Sequence, residues 1–250
     1  MRVAVSSWLR CKPLVVVAVS TAAVVNTVIV AATVGASAGI SGTQGHDVSI
    51  PQCSRPLPEP GRFAVVGVNG GVAFSSNPCL SAQYAWASRS GVRPHLYMNL
   101  GDPGPQSPRW RQAGPRACRA DDRMCLAQNY GANAALDALG RAGALGVHSR
   151  RWWLDVEVAN TWAGDAAQNI TVIQSAAAVL HRRGAVVGVY SSPRQWAAIT
   201  GGWRTPMPNW IGGAASSTQA SAWCGARGFS GGPVQLVQFP DGGLDGDLGC

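Results

Sequence analysis

Lysine is almost missing from this chain: Lys12 is the only one, and every other cationic side chain is an arginine. Glutamate is nearly as scarce, with Glu59 in a Pro-rich stretch and Glu157 alone. There is no C-x-x-C pair, and the four histidines (His46, His95, His148, His181) are scattered, so no metal-ligand spacing is present. The histidines have no obvious partner serine, which argues against an acyl hydrolase. Nor is there a basic helix, a zinc knuckle or an aromatic ribonucleoprotein motif, so nucleic acid is not an expected partner. Internal repeats are absent as well. With 46% hydrophobic and 13% charged residues in 250, the chain can bury a sizeable core as a single α/β domain.

Residues 1–38 stand apart in composition. Arg2, Arg10 and Lys12 precede a nearly uninterrupted apolar run from Leu14 to Val34, and Ala36-Ser37-Ala38 supplies an A-x-A cleavage pattern. The segment reads as a secretory signal peptide, or as a membrane anchor if it is not cut. Either way residues 39–250, the expected folded domain, lie outside the cytoplasm, and any membrane contact is through this segment. Cys11 precedes the apolar run, on the wrong side for lipid attachment. Without the leader's three cations, 17 arginines face 12 acids, a net charge of +5 against +8 for the whole chain. Such a surface favours anionic partners, including wall polymers.

Six cysteines remain: Cys53, Cys79, Cys118, Cys125, Cys224 and Cys250. An even number in an exported chain points to three disulfides. Of the 15 possible connectivities, the expected one is Cys53–Cys79, Cys118–Cys125 and Cys224–Cys250. Ten tryptophans against four tyrosines and four phenylalanines are unusual, and the indole suits stacking on sugar rings.

Short β-rich runs alternate with helical patterns. Strands are predicted at His46 to Ile50, Phe63 to Val68, His95 to Asn99, Ala185 to Tyr190, Pro208 to Ile211 and Val234 to Phe239. Helices are predicted at Asn77 to Ser90, Leu126 to Ala144, Asp165 to Arg183 and Pro193 to Thr200, with Gly91 and Gly184 as stops. Gly101 to Arg123, rich in Pro and Arg, reads as a long loop stapled by Cys118 and Cys125; loops of that length are more often functional than idle. Strand–helix units that fade into strands alone describe a TIM-type βα barrel with an incomplete ring of helices.

Within that frame the run Arg151-Trp-Trp-Leu-Asp-Val-Glu-Val158 is the most informative. On a strand, Trp153, Asp155 and Glu157 share one face and Trp152, Leu154, Val156 and Val158 the other. Two acids among tryptophans are costly to bury unless a site uses them. Further acids fall where barrel strands begin or end: Asp47 in the first strand, Asp245 and Asp247 in the last segment. Converging carboxylates beside tryptophan are what glycoside hydrolysis requires, one held protonated to donate and another charged to stabilise the oxocarbenium.

The motifs also resemble a family. Gly45-His-Asp-Val-Ser-Ile-Pro-Gln52 is similar to the G-x-D-V-S-x-x-Q opening of glycoside hydrolase family 25, the Chalaropsis-type lysozymes. Trp153-Leu-Asp-Val-Glu157 resembles its D-x-E strand, Gly188-Val-Tyr-Ser-Ser192 with Trp196 its G-x-Y-S-S…W, and Asn209-Trp-Ile its L-W-I-A. Gln235 to Asp247 resembles its closing W-Q-Y…D-G-x-x-D. The likeness runs in order over about residues 45–250, which looks like a divergent, secreted, actinobacterial-type member. It implies an irregular barrel of five βα units plus three strands, with no cofactor, acting as a monomer on the β-1,4 bond between N-acetylmuramic acid and N-acetylglucosamine. Carried over, Glu157 is the general acid, Asp155 orients or charge-stabilises the 2-acetamido group, and Asp47 with Asp245 or Asp247 completes an acidic cleft. Trp153 is the expected sugar-stacking residue, with Tyr97, Asn99, Tyr190, Trp210 and Gln238 lining the substrate.

The chain departs from the pattern in three places. Asn99 stands where an aromatic is usual, the 101–123 insertion is unfamiliar, and the final D-L-N is missing, so Asp245 and Asp247 are equal candidates. A non-catalytic glycan-binding envelope protein on the same barrel is the competing reading.

Overall fold

The computed structural model describes residues 39–250, so the expected leader at 1–38 lies outside the described residues. Eight strands form a closed barrel in chain order: β1 (Gln44–Val48), β2 (Ala64–Gly67), β3 (His95–Asn99), β4 (Arg151–Asp155), β5 (Val186–Ser191), β6 (Asn209–Ile211), β7 (Val234–Asp241) and β8 (Leu244–Gly249). Strands β1 to β7 run parallel, and β8 closes the ring antiparallel to both β7 and β1. Helices α1 (Leu80–Ala87), α2 (Arg123–Ala144), α3 (Ala166–Arg182), α4 (Pro193–Thr200) and α5 (Ser217–Cys224) follow β2 to β6. Five strand–helix units and three further strands are thus present, the irregular barrel expected. None of the described helices is long and apolar enough to cross a membrane.

Period-2 alternation divides the apolar residues into two cores. Outward-facing Val66, Leu96, Met98, Trp152, Leu154, Val187 and Val189 pack beneath the helices. Inward-facing Phe63, Val65, Trp153, Trp210 and Leu236 fill the barrel. Trp153 is 0% exposed and its ring needs the gap at Gly188, its register partner on β5, where any Cβ would overlap the indole. Lower still, burial beside the Arg151 charge holds His95 down to about 3, a neutral imidazole.

Helix boundaries follow capping chemistry. Asp122 accepts from Cys125 N–H, Asp165 from Ala167 and Gln168, and Ser192 from Gln195. Gly184, at φ 79°, ends the α3 segment as predicted. Gly131, which weakens α2 by propensity, lets α2 approach α3: a side chain there would collide with the Val172 carbonyl. Strand β1 sits two residues earlier than predicted because Ser49 opens a 3-10 turn at Ile50–Gln52, its N–H donating to Gln52 Oε1 at 2.9 Å. The eight-residue α5 was not foreseen; its sequence, Ser217 to Cys224, is polar and carries no clear apolar stripe.

The three disulfides are Cys53–Cys79, Cys118–Cys125 and Cys224–Cys250. The second anchors the long 101–122 connection, which also buries Trp110 against Tyr130 and is pinned where Asn129 bonds both the N–H and the carbonyl of Arg116.

Candidate active site

In a βα barrel the C-terminal strand ends form one rim, and the acids gather there. An open cavity of about 220 Å³ is lined by Asp47 of β1 and Ser49 just past it, Tyr97 and Asn99 of β3, and Asp155 and Glu157 of and just past β4. Tyr190 of β5, Trp210 of β6, Gln238 of β7 and Asp245 of β8 complete the wall, with Pro51 and Gln52. Four of the five candidate acids therefore line one pocket, along with five of the six expected substrate-binding residues.

Two expectations are corrected. Trp153 does share a face with Asp155, but it lies one layer deeper, sealed among Phe63, Val65 and Trp210, and presents nothing to a sugar. Asp247 likewise lies below the floor, 0% exposed, whereas Asp245 two residues earlier is at the surface of the pocket. Same-face residues two apart on a tilted strand differ by a full layer in depth; Asp245 is the one that solvent and ligand reach.

The hydrogen bonds assign distinct states to the acids. Asp155, 4% exposed, accepts at Oδ2 from the Asn99 carboxamide, while Oδ1 is buried with no donor. Asn99 is held in turn by Asn69, which accepts its N–H at 2.8 Å and donates to its carbonyl at 2.9 Å. Tyr190 O–H donates to Gln238 Oε1 at 2.7 Å, and Gln238 N–H donates to Asp47 Oδ2 at 2.9 Å. Trp210 Nε1–H donates to Asp247 Oδ1 at 2.7 Å; the other Asp247 oxygen is buried without a donor, and Asp47 is a close neighbour of this carboxyl.

Burial pushes the Asp47 carboxyl up to about 8, with the Asp245 charge adding and the Gln238 N–H opposing. Burial likewise raises Asp155 well above the usual carboxylate range, reinforced by Glu157 and Asp47, and raises Asp247, reinforced by Asp47. Asp245 moves the same way from partial burial. Tyr97 and Tyr190 are raised by burial and then by the neighbouring acids, so both remain neutral phenols. Like charges this close cannot all ionise, so the pocket holds protons at neutral pH and can donate one.

Glu157 differs from the others. It follows the end of β4, half-buried at the rim. Its carbonyl accepts from Trp162 Nε1 at 2.8 Å and from Asn160 N–H at 3.0 Å. Its carboxyl accepts at Oε1 from Gln195 Nε2 at 3.0 Å. Gln195, Asn69, Ser49 and Gln52 are site residues that sequence reasoning missed, being neutral amides and a hydroxyl without a charge to mark them.

A family model described as lysozyme-like protein 1 matches residues 125–211, from α2 through β6, and so includes Asp155, Glu157 and Tyr190. A probable GH family 25 lysozyme of Dictyostelium discoideum is 31% identical over 104 residues, 39% of this chain and 45% of that protein. The chain thus spans less than half the length of that relative. Among solved structures, a family GH25 lysozyme from Aspergillus fumigatus superposes with a TM-score of 0.57 at 15% identity, covering 83% of this chain and 94% of that one. A bacterial lysozyme from Streptomyces coelicolor gives 0.52 at 16% identity, with 84% and 92% covered. At such identities the superpositions speak for a shared barrel.

Proposed function

We propose that this glycoside hydrolase family 25-like domain is a lysozyme-type glycosidase that cleaves β-1,4 bonds in the glycan strands of peptidoglycan. The observation that carries the reading is the pairing at the end of β4: a rim carboxyl, Glu157, beside a buried carboxyl, Asp155, whose Oδ1 has no donor of its own. A buried acceptor left open is costly unless a ligand supplies the hydrogen. The N–H of a 2-acetamido group does so, and in that pose its carbonyl oxygen lies against the anomeric carbon. Glu157 then gives its proton to the leaving glycosidic oxygen, and the acetamido oxygen closes on the anomeric carbon as the C–O bond breaks. In the second half, Glu157 takes a proton from the water that opens the ring. Asp245, the acid of the cluster that reaches solvent, supplies negative potential to the oxocarbenium-like transition state, Asp47 and Asp247 hold their protons beneath it, and Tyr97, Tyr190 and Trp210 shape the wall. The three disulfides support action in an oxidising, extracytoplasmic compartment.

The test is release of reducing ends from purified peptidoglycan. The protein should cleave it, and Glu157→Gln should lose about 10³-fold or more in kcat, general acid catalysis by a positioned group contributing roughly 10²–10⁴-fold. Retention of binding with no reducing ends from the unmutated protein would leave a glycan-binding role instead.

A further inference from the structure

Glutamine at the third position of a helix behind an N-cap serine ordinarily folds back on the cap: S-x-x-Q is a capping box. At Ser49–Gln52 the chain does this, with Ser49 N–H donating to Gln52 Oε1 at 2.9 Å. At Ser192–Gln195 it does not. Ser192 Oγ accepts from Gln195 N–H at 3.3 Å, but the Gln195 side chain turns away from its own helix. Its Oε1 accepts from Val158 N–H at 2.7 Å, and its Nε2 donates to Glu157 Oε1 at 3.0 Å. Among the described residues this is the one side-chain hydrogen bond to the Glu157 carboxyl.

The first of those bonds settles the second. A backbone N–H can only donate, so the oxygen of the Gln195 amide must face Val158 and its NH₂ must face Glu157. That NH₂ can only donate in its turn. In a protonated carboxyl the carbonyl oxygen is the better acceptor, so the donated N–H favours Oε1 as that oxygen and places the transferable proton on Oε2.

We propose that Gln195 is a positioning residue that fixes the Glu157 carboxyl and selects Oε2 as the oxygen that carries and delivers the proton. This deepens the lysozyme reading and rests on it for its catalytic consequence. The clamp itself is independent of turnover, because an N–H donated to a carboxylate favours the ionised form.

The scarcity of glutamate makes this measurable. Protein labelled with ¹³C at the glutamate side-chain carboxyl gives two signals, Glu59 and Glu157, and Glu157→Gln identifies which is which. In Gln195→Met, similar in length but without an amide, the Glu157 carboxyl signal should move from its position in the unmutated protein as the donated N–H is lost, with Glu59 unmoved. Gln195→Asn, one methylene too short to span Val158 and Glu157, should show the same displacement and serves if the Met variant folds poorly. In peptidoglycan turnover both variants should lose about 10- to 100-fold in kcat with KM within about twofold. A Glu157 signal that stays put overturns the proposal, as does a loss of kcat unaccompanied by that displacement. If the unmutated protein releases no reducing ends, the lysozyme reading fails while the carboxyl signal still decides the role of Gln195.

Discussion

Asp247→Asn is expected to stabilise the protein at neutral pH and to leave it nearly unchanged near pH 4. The substituted amide keeps an oxygen for the Trp210 indole, which donates to Asp247 Oδ1, and replaces the second, donor-less oxygen by an N–H beside the neighbouring Asp47. The sign follows from the shifts. Asp247 and Asp47 both have folded values raised from 3.8, Asp47 to about 8, first by burial. Between the unfolded and folded values each acid keeps a proton in the native state that the unfolded chain has released. Stability therefore falls as pH rises through that window, by about 1.4 kcal/mol per unit per group. Asp47, at about 8, spans the whole of pH 4 to 7 and so corresponds to about 4 kcal/mol; allowing half for relaxation and water entry leaves about 2, the scale expected for its buried neighbour. For a chain of this size that is a rise of about 4–8 °C in the melting midpoint. Calorimetric melts at half-unit steps from pH 4 to 8 would measure it. A difference between variant and parent that is constant with pH, or a variant less stable at pH 7, would refute the view that Asp247 is held protonated by burial and by Asp47.

Trp153→Ala should cost about 3–5 kcal/mol in urea unfolding; a large rise in KM with stability intact would mean the indole touches sugar after all. Gly188→Ala should cost about 1–3 kcal/mol through its clash with that ring, and a double-mutant cycle with Trp153→Leu should recover part of the loss; strict additivity would count against the contact. Asn99→Leu removes the donor that favours ionised Asp155, so the kcat/KM profile should move to higher pH, and an unmoved profile would separate Asn99 from Asp155. Replacing Cys53 and Cys79 together by Ala should cost about 3 kcal/mol, as loop closure across a separation of 26 residues implies; unchanged melting would place the constraint elsewhere.

Much of the architecture was legible because burial leaves a period in the sequence. The alternation in Trp152 to Asp155 named the correct faces, and Asp165, Pro193 and Gly184 marked helix ends through local chemistry. Depth was not legible. Trp153 and Asp155 share a face, as do Asp245 and Asp247, and only closure of the ring decides which of each pair reaches the rim. Partners contributed by distant loops were equally hidden: Asn69 and Gln195 act through their amides on residues 30 and 38 positions away. Nothing in the sequence singles out Gln195, because a sequence pattern cannot tell where a flexible amide finds the better acceptor.

The ring's last seam, where β8 zips onto β1, joins Asp47 to Asp245 across nearly the whole folded chain. Before that seam forms, no acidic pocket exists, since its floor and one wall are missing. On the lysozyme reading, a partly folded molecule would therefore lack a working site until that seam is closed. A chain that attacks polymers would thereby be harmless while it is being made, with no separate inhibitor required.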